Sequence, residues 1–204
     1  MKKILIALSV LLVACTVKMA TTINTSDILS GNNKALMVDL QVYVMSCSED
    51  DIENLKREFE KRKITARYNS CSSKDLNDYA SFSLPIALIT NPDADAPVDN
   101  GIYFYVSNDT LSLRTSKNFA SLLDATSDFG SDKINISSIE FSLVNDGGSD
   151  FKIKPTLVFV DEKPVYNTTV NVPVFSKVLI KLPDVANKLL EQSNAEYQIF
   201  TFTR

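Results

Sequence analysis

The sequence predicts an α+β protein. An N-terminal mixed α/β domain spans residues 35–126, and a C-terminal antiparallel β-sandwich spans residues 133–204. Up to residue 126, two-residue apolar alternation and helical spacing take turns along the chain. Beyond residue 132, short apolar runs follow one another with turn residues between them, the mark of a sandwich. Thr126-Ser-Asp-Phe-Gly-Ser-Asp132 separates the two characters and reads as a linker.

The elements follow in order. From Ala35 to Met45, Val38, Leu40, Val42 and Val44 alternate with Asp39, Gln41 and Tyr43, which predicts a strand. Ser48 with Asp51 three residues on forms a helix start, and Ile52, Leu55 and Phe59 share one face of a helix over 49–62. Ile64 to Asn69 is a second strand; strand, helix, strand favours a right-handed crossover between parallel strands. Ser73 to Tyr79 reads as a short capped helix, and Phe82 to Thr90 as a strand that Pro85 makes an edge or bulged one. Ile102–Val106 and Thr110–Leu113 flank Asn108-Asp109, which suits a tight hairpin. Ser116 to Ala125 is helical by the spacing of Phe119, Leu122 and Leu123. Strands at 134–144, 151–160, 165–172 and 175–182, a helix at 184–192 and a strand at 197–202 complete the chain.

Before these elements stands a leader. Lys2 and Lys3 precede the apolar run Ile4–Val13, too short for a bilayer span, and small Ala14 precedes Cys15, so residues 1–14 read as a cleaved secretory signal. Leu12-Val-Ala-Cys15 resembles the bacterial lipobox, which implies lipidation of Cys15 and residence in the cell envelope. Thr16 stands where an Asp would resemble an inner-membrane retention signal, so the outer membrane is the expected destination. Residues 15–34, rich in Thr, Ser, Asn and Lys, read as a lipidated tether.

Loss of Lys2 and Lys3 with the leader moves the formal charge from −4 to about −6. With no basic stripe, the chain lacks the footprint that nucleic acid requires. Cys47 and Cys71 remain, and in an oxidising compartment an even pair reads as a disulfide, against the competing reading of two buried thiols. Strand-helix-strand geometry also brings both to one sheet edge. The absence of histidine excludes Ser-His-Asp, Cys-His and His-zinc chemistry, and none of the five glycines forms a phosphate-cradling loop.

Asn91, Asp93, Asp95 and Asp99 occupy positions of a calcium-loop pattern, but Ala96 and Ile102 replace its turning Gly and bidentate Glu, so a solvated acidic loop is the plainer reading. Glu49-Asp50-Asp51 compensates a helix dipole. Tyr103 and Tyr105 point to one face of a strand and offer a binding ridge, weighed against local packing. No cofactor is called for.

Several stretches resemble a family of uncharacterised small lipoproteins of bacteria and phages. They are Leu29-Ser-Gly31, Cys47-Ser48, Phe82-Ser-Leu-Pro85, Val106-Ser-Asn-Asp109, Val144-Asn-Asp-Gly-Gly-Ser-Asp-Phe151 and Val160-Asp-Glu-Lys-Pro-Val165. The resemblance implies no known activity. Residues 134–182 are similar in fold to immunoglobulin-like modules of bacterial surface proteins. Because no site motif stands out in the sequence, a surface explains the function better than a catalytic centre, and the expected function is non-enzymatic. A membrane-anchored lipoprotein would bind an envelope protein or play a structural part, with receptor masking or superinfection exclusion as its phage-related version. The alternative is an envelope hydrolase using Ser with Lys, or carboxylates.

Overall fold

The computed structural model describes residues 16–74, 77–124 and 135–203. The chain runs β1 (Thr16–Asn24), α1 (Thr25–Leu29), β2 (Lys34–Val44), α2 (Glu49–Lys61), β3 (Arg67–Lys74), β4 (Asn77–Ile89), β5 (Ile102–Ser107), β6 (Thr110–Thr115) and α3 (Lys117–Asp124). It continues through β7 (Asn135–Val144), β8 (Phe151–Pro155), β9 (Val158–Val160), β10 (Lys163–Val165), β11 (Val170–Val172), β12 (Lys177–Lys181), α4 (Asp184–Leu190) and β13 (Glu196–Thr203).

Local physics accounts for many of these elements. In β2 the even-numbered residues from Leu36 to Val44 are buried and the odd ones face outward, as the alternation requires. The Ser48 side chain accepts from the Asp51 N–H and caps α2, while Ile52, Leu55 and Phe59 are buried. Between β5 and β6, Asn108 and Asp109 take φ of 50° and 55°, the mirror-image turn whose twist matches a hairpin.

The assembly is not the expected one. Strand occupies 52% and helix 17%, and the strands form one curled half-barrel sheet rather than an α/β domain followed by a separate sandwich. Twelve strands lie in the order β10-β9-β12-β7-β1-β2-β4-β5-β6-β13-β8-β11, and β3 pairs with β4 off that path. The strands expected in a sandwich thus occupy both arms of this sheet, joined through the N-terminal strands. The junctions are β1 parallel to β7 and β6 antiparallel to β13, pairings that span much of the chain. The linker expected at Thr126–Asp132 lies outside the described residues.

Ring contacts measure the curl. Four strand steps separate β5 from β7 along the sheet, a path of about 19 Å at ~4.8 Å per step. Yet Phe104 and Phe141 meet edge to face with ring centroids 5.3 Å apart, across the enclosed core. The chain itself crosses between the arms in the short connection from Pro155 to Val158. Phe82, Phe104, Phe119, Phe141 and Phe200 are all fully buried, each contributing about 1.5–3 kcal/mol relative to exposure.

Three further expectations are corrected. Residues 16–24, read within a tether, form β1 near the middle of the sheet, with Val17, Met19 and Ile23 buried. Thr content is compatible with either structure, because β-branched Thr favours strands as well as loops. The helix expected at Ser73–Tyr79 is instead the end of β3 and the start of β4, where Tyr79 pairs with Tyr43 and Ser72. Finally, β2 and β3 run in the same direction as expected but are not neighbours; β4 lies between them, antiparallel to both.

Pro85 is accommodated by that arrangement. On one flank of β4, β3 pairs as far as Ser83 and β5 begins at Ala87, leaving a gap at Pro85. No strand there needs the N–H that proline lacks. Buried Asn100 fills the gap, donating to the Pro85 carbonyl at 2.6 Å and accepting from the Thr65 N–H at 2.7 Å.

Candidate functional site

Because side chains alternate, the sheet has a buried concave face and an outward face made of the intervening residues. On β12, β7, β1 and β2 the outward residues include Lys181, Glu140, Ser138, Lys18, Ala20, Asp39 and Gln41. In register, Lys181 lies opposite Glu140, Glu140 beside Ala20, and Ala20 beside Asp39. One small residue amid longer ones leaves a hollow. These residues, with Met19 and Ser137, line a groove of about 430 Å³.

Two cations and two carboxylates share this groove. Among the described residues, no ion pair engages Lys18, Lys181, Asp39 or Glu140. The Lys18 ammonium instead reaches across β2 and sits 5.6 Å from the centroid of the Tyr79 ring on β4. This matters for the chemistry available. Ser138 lies opposite Lys18 on the neighbouring strand, a placement that could suit a Ser–Lys pair. The ammonium leans the other way, and the Ser137 hydroxyl is spent on the Val17 carbonyl at 3.0 Å. The arrangement suits recognition of a polar surface, with solvent-facing charges of both signs that form no ion pair among the described residues.

The outward face continues past β4. Tyr43 and Tyr79 contact edge to face at 5.9 Å. Tyr103 and Tyr105, expected as a ridge, do lie on this face of β5, half-buried. The Arg114 guanidinium stacks over Tyr105 at 3.7 Å and pairs with Glu196 at 3.0 Å. Burial opposes the Arg114 charge, but the hydrogen bond and charge of Glu196 override it and raise its pKa. The ridge is thus an Arg-capped patch, in which tyrosine and guanidinium are held together.

Other expected positions divide. Cys15 lies outside the described residues. Cys47 and Cys71 are joined, with Cα atoms 5.6 Å apart, and the bridge ties the end of β2 to β3 across β4. Of the calcium-loop carboxylates, Asp93, Asp95 and Asp99 do not assemble: among the described residues no group of three or more His, Cys, Asp or Glu side chains is placed to hold a metal ion. Asn91 accepts from the Asp93 N–H and Asp99 from the Gly101 N–H. Asn33 donates to the carbonyls of Asn91, Ala94 and Asp95, so this loop is fastened by an amide.

The groove residues were missed in the sequence because β1 was. Once Val17, Met19 and Ile23 are set inward, Lys18 and Ala20 fall outward, beside the outward Asp39 and Gln41 already evident in β2. Asn145, a buried hub, gave only a turn signal. Its amide donates to the carbonyls of Ser149 and Val172 at 2.9 and 2.8 Å, and its oxygen accepts from the Gly147 N–H and the Thr25 hydroxyl.

No curated protein and no solved structure matches the chain. One family does match, over residues 17–204, from the second residue of β1 to just past the end of β13. Since that match takes in the groove, the Tyr103–Arg114 patch and both arms of the sheet, the chain belongs to the family described as a domain of unknown function, DUF7424.

Proposed function

We propose that this protein is a non-enzymatic binding module of the cell envelope, attached to a membrane through lipid on Cys15 and engaging an envelope protein through the outward face of its sheet. Masking of a receptor or exclusion of a superinfecting phage is the particular version that its family resemblance suggests. The observation that carries the binding role is the groove, where Lys18, Lys181, Asp39 and Glu140 form no ion pair among the described residues and lie on the outward face of the sheet. Leaving such charges unpaired adds nothing to folding, whereas a partner of complementary pattern gains orientation and specificity from them. The leader read at residues 1–14 and the cysteine that follows support the export and anchoring half of the proposal.

Charge reversal tests it. Lys18→Glu with Lys181→Glu should leave the unfolding midpoint nearly unchanged, since both side chains are exposed, and should abolish crosslinking to the envelope partner captured by the wild type. Equal capture by variant and wild type would refute the assignment of the face. Turnover of a peptidoglycan or ester substrate by purified protein, lost in Ser138→Ala, would replace it with hydrolysis.

A further inference from the structure

We propose that the exposed side of α4, carrying Val185, Lys188 and Leu189, rests on the lipid surface and fixes the protein upright at its anchor. This inference rests on the lipid-attachment reading above.

Two observations join to support it. The first is that Thr16, the residue after Cys15, already pairs with Asn135, so the chain enters the middle of the sheet without slack. A lipid on Cys15 would bring this end of β1 to the bilayer within a residue or two. The second is what lies beside that entry. Val17 pairs with Ile136, and the Ile136 N–H donates at 2.8 Å to the carboxylate of Glu191, the C-cap of α4. Asn187 of α4 reaches the Ser137 carbonyl at 3.5 Å. So α4 stands next to the first residues of β1.

On α4 the buried side is Ala186, Asn187 and Leu190. Val185 and Leu189, four residues apart and so on one face, are 62% and 36% exposed. Lys188 lies beside them, suited to headgroup phosphates. An apolar pair flanked by a cation, on the helix that abuts the anchored strand, has the chemistry of an interfacial contact. Phe175, 84% exposed, marks the other end: its N–H donates to the Asn145 carbonyl, just past the end of β7 that lies beside Asn24, a full strand away from Thr16.

The test uses full-length protein produced with its lipid and reconstituted into phosphatidylethanolamine–phosphatidylglycerol vesicles. Single cysteines, Val185→Cys or Phe175→Cys, are labelled with an environment-sensitive fluorophore under non-reducing conditions. A label at 185 should blue-shift on reconstitution and be quenched by aqueous iodide at least about threefold less than a label at 175, since interfacial helices sink ~5–10 Å into the headgroup boundary. Equal quenching at both positions, with the protein floating alongside the vesicles, would overturn the orientation while leaving the lipid anchor standing. Failure to float, with no lipid mass on Cys15, would overturn both. Protection at 185 in detergent-free solution without vesicles would show a second copy covering this face, and would also overturn the proposal.

Discussion

Replacing Asn145 with Ala removes four side-chain hydrogen bonds from a residue that is 1% exposed, while its backbone bonds to Phe175 and Ser176 remain. The four partners do not weigh equally. Gly147 and Ser149 are on the solvent side and can turn to water, and Thr25 keeps a hydrogen bond to Asp146 at 3.1 Å. The Val172 carbonyl is buried and has nowhere to turn. An orphaned buried group costs about 1–3 kcal/mol, so with the lesser losses the expected destabilisation is about 2–4 kcal/mol. At roughly 2–4 °C per kcal/mol for a chain of this size, the thermal midpoint should fall by about 4–16 °C. Thermal and urea unfolding followed by circular dichroism measure it, with the urea slope unchanged. Asp146→Ala is the control, because its bonds to Thr25 and Ser26 lie at an exposed side chain. Equal losses for the two variants, or a shift under about 1 °C for Asn145→Ala, would refute burial as the source of the cost.

Reduction of Cys47–Cys71, which closes a separation of 24 residues, should lower stability by about 3.5 kcal/mol through loop entropy, read as a drop in midpoint with both thiols then open to alkylation; an unchanged midpoint after complete alkylation would refute it. Glu58 is buried on α2, and its hydrogen bond from Lys61, helped by Arg62, outweighs burial and holds its carboxyl below the ordinary 4.5. Its folded value being the lower one, its contribution is present above pH 4.5 and disappears as pH falls through the folded value. The stability gap between wild type and Glu58→Gln should therefore be full at pH 7 and close below that range, and a gap independent of pH would count against the ion pairs.

Much of the local structure was legible because local physics decides it. The burial alternation of β2, the Ser48 cap on α2, the Asn108-Asp109 turn and the Cys47–Cys71 pair each depend on residues near in sequence, or on one crossover, and the structure has all of them. Tyr103 and Tyr105 face outward for the same reason: a strand alternates whatever it pairs with.

Which strands become neighbours is another matter. An isolated strand carries a face but no address, and backbone hydrogen bonds are the same between any two. The pairing of β1 with β7 depends on how apolar faces from distant segments close around Phe104 and Phe141. Only that closure turned an expected tether into a central strand and the two expected domains into one sheet. It also brought Lys18, Asp39, Glu140 and Lys181, from four separate strands, into a single groove. Sequence by itself determined the faces, caps and turns; the tertiary structure alone decided the neighbours, because burial of apolar surface is non-directional and is satisfied only by the whole chain at once.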